Sequence, residues 1–222
     1  MRLLNLIIIF CGIGTVLTTR LSAQVKFNEG VLEYRVQVKG ATDSVSKEGT
    51  YTVHIKEGNV RKELHFPDGY DNITLTNFNM GKHVILHKIN KQPYAVEMSE
   101  KEHRKSWSKY SNATYKKEGS WLEENVEKPE EQPGQKFSVK YKDGKNLVVY
   151  VMEKYFLDYP QIFERIPDLK GIPVAFSIEA GNGFIMSFRL VKCNPEPVSN
   201  AVFRIPEGYR IISRKEYDKL AK

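Results

Sequence analysis

Residues 31–38 read Val-Leu-Glu-Tyr-Arg-Val-Gln-Val, and this alternation decides the fold class. Leu32, Tyr34, Val36 and Val38 fall on one side of an extended chain, and Glu33, Arg35 and Gln37 on the other. The rhythm continues downstream. Tyr51, Val53 and Ile55 alternate with Thr52, His54 and Lys56, and Glu57-Gly58-Asn59 supplies residues that tolerate positive φ for a tight hairpin. Val60, Leu64 and Phe66 follow, with Arg61, Glu63 and His65 opposite, before Pro67-Asp68-Gly69 turns the chain. Ile73 with Leu75, Val84 with Leu86, and Tyr94, Val96 and Met98 continue the series. About six consecutive strands joined by short turns make an antiparallel meander.

Ser99 breaks the rhythm. With Glu102 it forms a capping box, and Trp107 and Tyr110 share a face of the short helix this predicts, ending near residue 110. Residues 111–135 are hydrophilic, with five glutamates from Glu123 to Glu131 and two prolines, and read as a surface loop or insertion anchored by Trp121 and Leu122. The β pattern resumes at Phe137, Val139 and Tyr141, and Asp143-Gly144 marks a hairpin. Residues 147–152 are apolar on both faces, which predicts a central strand covered on both sides. Pro160 and Pro167 bracket a linker in which Ile162 and Phe163 form a helical turn. Ile172, Val174, Phe176 and Ile178 alternate cleanly, as do Phe184, Met186, Phe188 and Leu190. A last strand is expected at 201–203, and Ser213 with Glu216 caps a second short helix. The sum is a mainly β domain of about ten or eleven antiparallel strands with a few short helices.

The N-terminus opens with Met1-Arg2 and an apolar run from Leu3 to Leu17, with Asn5 and Thr15 as its polar interruptions. A positive head and a run of this length match a secretory signal, whereas a membrane-spanning helix needs roughly 20 apolar residues. Ser22-Ala23 offers the cleavage site, so residues 1–23 are expected to be removed, a retained anchor being the alternative. Phe10 before Cys11 does not fit a lipobox, which requires a small residue there. The mature chain, 24–222, is therefore expected to be a single periplasmic or secreted domain without a lipid anchor. The 34 Lys and Arg exceed the 27 Asp and Glu by seven, and removal of Arg2 and Arg20 lowers that excess to five. Lys and Glu alternate rather than gathering into a basic stripe, which argues against nucleic acid as a partner. Cys193 is the sole cysteine after cleavage, so no internal disulfide is expected.

Catalytic and metal motifs are missing. The sequence holds no G-x-S-x-G, P-loop, H-E-x-x-H or C-x-x-C pattern, and neither a cofactor nor a metal is expected. His83 and His87 lie four apart on one strand, about 13 Å from each other, too far to share an ion. The glutamates of 123–131 lack the spaced ligands of a calcium loop. Asn72-Ile73-Thr74 and Asn112-Ala113-Thr114 match the glycosylation acceptor pattern and carry little weight.

The apolar inventory is more informative. Tyr34, Phe66, Leu75, Tyr94, Met98, Phe176, Met186 and Phe188, with Trp107 from the helix, supply large side chains for one face of a curved sheet. Two fates are open to that face. The helix at 100–110 and the linker at 156–168 plug it, giving a plain core, or it stays partly open as an apolar cavity.

The segments Leu169-Lys170-Gly171-Ile172-Pro173-Val174 and Phe203-Arg204-Ile205-Pro206-Glu207-Gly208-Tyr209, the hairpin ending at Leu190, and Tyr141-Lys142-Asp143-Gly144-Lys145 together resemble exported bacterial proteins of the LolA/LolB-like group. The resemblance implies an incomplete antiparallel barrel around a hydrophobic cavity lidded by short helices, and a non-enzymatic carrier of acyl chains. The carriers' lid arginine has Arg35 as its only counterpart here, and the lipobox of the receptor branch is missing. Two functions follow as expectations. One is a monomeric carrier or sensor binding a lipid, a lipoprotein acyl chain or another apolar ligand, lined by the nine residues above. The other is a non-catalytic module with a filled core that contacts an envelope protein. An enzyme is the remaining class.

Overall fold

The computed structural model describes residues 24–40, 45–120, 134–181 and 183–220; residues 1–23, expected as a signal, and residues 121–133 of the hydrophilic stretch lie outside them. Six long strands form the expected meander: β2 (Glu29–Lys39), β3 (Val45–Lys56), β4 (Asn59–His65), β5 (Asp71–Asn77), β6 (Lys82–Ile89) and β7 (Gln92–Met98). Helix α1 (Glu100–Trp107) and a 3-10 turn (Ser108–Tyr110) lead to a second antiparallel series: β8 (Thr114–Ser120), β9 (Gly134–Lys140), β10 (Asn146–Phe156), β11 (Gly171–Gly181) and β12 (Phe184–Asn194). The short β1 (Val25–Lys26) runs parallel to the end of β10, β13 (Arg210–Ser213) runs parallel to β7, and α2 (Arg214–Leu220) closes the described chain.

The thirteen described strands make one sheet, ordered β13-β7-β6-β5-β4-β3-β2-β12-β11-β10-β9-β8, with β1 paired to β10. The two series meet where β2 pairs with β12, Val36 facing Phe188 and Tyr34 facing Leu190. Strands β8 and β13 stand at opposite ends and do not meet, so the barrel is incomplete. The link from β7 to β8 must therefore span the sheet from one end region to the other, which lays α1 across a face.

Register shows which face is the inner one. Leu32, Val53, Lys62, Thr74, Ile85, Val96 and Ile212 form one row across seven strands. Most of the core packs on this face: Leu32, Val36, Val53, Val139, Val149, Met152, Ile172 and Val174 are fully buried. On the opposite face a smaller cluster of Leu75, Leu86 and Ala95 is covered by Ile205 and Tyr209 from the segment before β13.

Turn chemistry works as the sequence indicates. Glu57 and Gly58 both take positive φ (48° and 86°), as do Asn90 and Lys91 (52° and 67°), which suits the right-handed twist of two-residue hairpins. The capping box at Ser99 and Glu102 starts α1, and Ser213 with Glu216 makes the equivalent contacts before α2.

Three local expectations are corrected. Residues 200–203 form a 3-10 turn, because the Ser199 hydroxyl accepts from the Ala201 amide and holds the chain in a turn; the last strand comes later, at β13. Strand β10 is internal but not covered on both faces, since Val148 points outward and is 42% exposed. The stretch expected as a loop over 111–135 contains β8, an edge strand whose exposed lysines suit an edge.

Tyr34 ties three strands together. It is buried on β2 and its hydroxyl donates to the Pro173 carbonyl of β11 at 2.9 Å, reaching past β12. Tyr34→Phe leaves that buried carbonyl without this donor and is expected to cost about 1–2 kcal/mol, a fall of several degrees in melting temperature, measured by thermal unfolding.

Candidate functional site

The inner face is covered mainly by residues 157–170, an irregular excursion between β10 and β11. Its ends are closed by the Leu157 amide donating to the Lys170 carbonyl at 2.8 Å. Within it, a 3-10 turn over Pro160–Ile162, close to the helical turn expected at Ile162 and Phe163, is followed by further tight turns (Ile166 N to Phe163 O, Leu169 N to Ile166 O) that bond main-chain groups to one another. The turns point Leu157, Ile162, Phe163, Ile166 and Leu169 inward, where all five are buried. Phe163 sits edge-on to Tyr34 and Phe176, at 6.2 and 6.3 Å between ring centres. This segment is a plug made of chain, and it occupies the hollow of the sheet.

The nine lining residues divide. Tyr34, Phe66, Phe176, Met186 and Phe188 belong to the main inner cluster. Phe176 and Phe188 stack across β11 and β12 at 4.7 Å and 4° between planes, and Tyr51 meets Phe188 edge-on at 5.4 Å. Leu75 lies on the opposite face, one register step out of phase with its neighbours. Tyr94 and Met98 share the inner face but stand outside the main cluster, as does Trp107, half-buried on α1. Arg35 is exposed on the outer face opposite Arg189, so it is not a lid residue.

A polar device missed by sequence patterning pins the plug. Lys62 of β4 is only 7% exposed, in the middle of the inner row. Its ammonium pairs with the Glu164 carboxylate of the plug and approaches the Ile162 carbonyl at 3.4 Å. His103 of α1 stands 3.7 Å from the same carboxylate, stacked at 3.6 Å on His83 of β6. Phe78 then meets His83 edge-on at 6.3 Å and stacks on Tyr159, which begins the excursion, at 5.0 Å. Sheet, lid helix and plug thus converge on one ion pair and one run of rings. His87 lies elsewhere, edge-on to Tyr217, and among the described residues no cluster suits a metal ion.

At one end of the plug a cleft of about 490 Å³ opens between the 3-10 turn, the β9–β10 hairpin and Arg165. Its apolar floor is Leu147 and Ile178, both part of or packed against the main cluster, and Tyr110 and Tyr141 are its walls, edge-on at 5.5 Å. Burial pushes the Tyr141 hydroxyl up beyond the usual phenol range, and it donates to the Arg165 carbonyl. A larger concavity of about 920 Å³ is lined chiefly by outward-facing groups such as Arg35, Gln37, Ser187 and Arg189, and is a saddle of the open sheet rather than part of the hollow.

The pin is sensitive to acid. Burial alone raises the Glu164 carboxyl, but Lys62 and His103 outweigh it and hold Glu164 at about 2. His83 is lowered to about 4, first by burial and then by the adjacent His103. Both shifts make acid destabilising. The unfolded chain takes up the histidine proton first, so stability falls as pH drops from 6.5 toward 4, and the Glu164 contribution fades as pH falls from 4.5 toward 2. Melting temperature is expected to hold above pH 7 and fall below 6.5, and His83→Phe should flatten the decline between pH 6.5 and 4 in thermal melts.

No family model matches the chain, and no curated protein does. Among solved structures it is similar to a LolA superfamily protein from Nitrosomonas europaea, at 7% identity over 82% of this chain and 92% of that one, TM-score 0.39. It is also similar to the lipoprotein LppX of Mycobacterium tuberculosis, at 12% identity over 77% and 89%, TM-score 0.39. A third is a domain named for outer membrane lipoprotein sorting from Vibrio parahaemolyticus, at 10% identity over 82% and 91%, TM-score 0.40.

Proposed function

We propose that this is a non-enzymatic, monomeric binding protein working outside the cytoplasm. It takes the hydrocarbon chain of a lipid or acylated protein into the hollow now held by residues 157–170. The observation that carries the reading is the nature of the cover. The inner face is filled by an excursion with a single 3-10 turn, closed at its base and pinned by an ion pair to the buried Lys62, with an apolar-floored cleft at its end. Aliphatic and aromatic groups of the plug occupy the place a chain would take, so binding exchanges one apolar filling for another. Because the filled state excludes ligand, the apparent affinity is the intrinsic one reduced by the fraction of molecules with the plug displaced.

A second reading has its own support: plug and sheet are packed together, with Tyr34, Met152 and Ile172 of the sheet and Ile162 and Ile166 of the plug all under 2% exposed. On that reading the domain is a filled scaffold that contacts an envelope protein.

Titration with a fluorescent long-chain fatty acid separates the two. The carrier reading expects saturable binding, its loss in Phe188→Asp or Phe176→Asp, and several-fold tighter binding in Glu164→Gln, whose plug is less firmly pinned. On the scaffold reading Glu164→Gln lowers only the melting temperature, and no probe saturates. Circular dichroism establishes that each variant keeps its strands.

A further inference from the structure

The cleft at the end of the plug combines its apolar floor with a charged rim, and the rim has an unusual arrangement. Lys109 and Arg165 both approach the ring of Tyr110, at 4.9 and 5.5 Å from its centre. Arg165 also donates through Nη1 to the main-chain carbonyl of Glu179 at 2.8 Å. A ring face and a carbonyl position a cation without cancelling its charge. Neither Lys109 nor Arg165 forms an ion pair with a carboxylate among the described residues.

Of the other charged groups of the rim, Lys145 and Glu179 neutralise each other and Asp143 keeps its charge. Lys145 pairs with the Glu179 carboxylate, and Asp143 accepts from the main-chain amide of Lys145 at 3.0 Å. Three cations thus face two carboxylates around the cleft, an excess of one positive charge, and Lys109 and Arg165 share the apolar floor of Leu147 and Ile178 with them. Arg165 is held on three sides: by Tyr110, by the Glu179 carbonyl, and through its own carbonyl by the Tyr141 hydroxyl. Its guanidinium keeps further N–H groups in a planar fork that matches a carboxylate or a phosphate.

We propose that this rim receives the anionic head of a single-chain amphiphile, whose tail passes over Leu147 and Ile178 toward the plug. The inference rests on the binding reading above and adds to it the ligand's charge and the end from which the ligand enters. Arg165 and Glu164 are adjacent on the plug, one at the cleft and the other at the pin. Engagement of the head by Arg165 therefore bears on the residue next to the one that secures the plug.

The test compares a fluorescent fatty acid, its methyl ester, and a lysophosphatidic acid of matched chain length on the delipidated protein. At least one anionic probe is expected to bind about tenfold more tightly than the ester, equivalent to about 1.4 kcal/mol, and to weaken as salt is raised. Whichever binds better distinguishes a carboxylate head from a phosphate head. Arg165→Gln combined with Lys109→Gln should remove the preference while ester binding stays within about twofold. Equal affinity for acid and ester, or a preference that survives the double substitution, overturns the head-group assignment and leaves chain binding standing. If no probe binds, the carrier reading falls and the head-group assignment with it.

Discussion

An antiparallel sheet that curls without closing must cover its inner face. Here β8 and β13 end the sheet without meeting, and the hollow they leave between them is lined by rings and branched aliphatics. Water there is unfavourable in proportion to the apolar area exposed. The chain meets the demand with residues 157–170 and α1, neither of which is a strand of the sheet. A cover of this kind is separable from what it covers, in a way that a second sheet would not be.

Lys62 gives the cover its specificity. A lysine amid Val53, Thr74 and Ile85 is costly to bury alone, and replacing a buried pair with apolar groups is often neutral or better. The pair therefore does not explain overall stability well. It does fix one position of the plug against the sheet, because any other position leaves an ammonium or a carboxylate buried without its partner. His103 brings α1 under the same constraint. A purely greasy plug of the same size could slide, and this one has a registered seat.

Much of the scaffold was legible in the sequence because strand alternation and turn chemistry are local. Tyr34 with Tyr51, the Glu57-Gly58 turn and the Ser99 capping box are each written within a few residues. The legible part of the site was its set of rings: Tyr34, Phe176 and Phe188 converge as the alternation implies. Leu75 was misplaced because a large residue on a strand says nothing about which face of a two-faced sheet it joins, and the opposite face has its own cover in Ile205 and Tyr209. The Lys62–Glu164 pair joins residues 102 positions apart, and no single-sequence pattern marks such a pairing. The two lysines and arginine of the cleft look, in sequence, like any solvated surface charges. Only the ring of Tyr110 between Lys109 and Arg165 sets them apart.

The pairing of β2 with β12 bears on how the molecule comes to exist. The first long strand made is at the middle of the finished sheet, and its second neighbour, residues 184–194, is among the last. Until that late segment arrives, the meander presents an unprotected hydrogen-bonding edge beside Leu32, Tyr34 and Val36. Topologies dominated by such distant pairings fold slowly, since loop closure must precede the contacts that reward it. A chain with this wiring stays incompletely folded through most of its synthesis, and it carries an adhesive edge until the final strands dock.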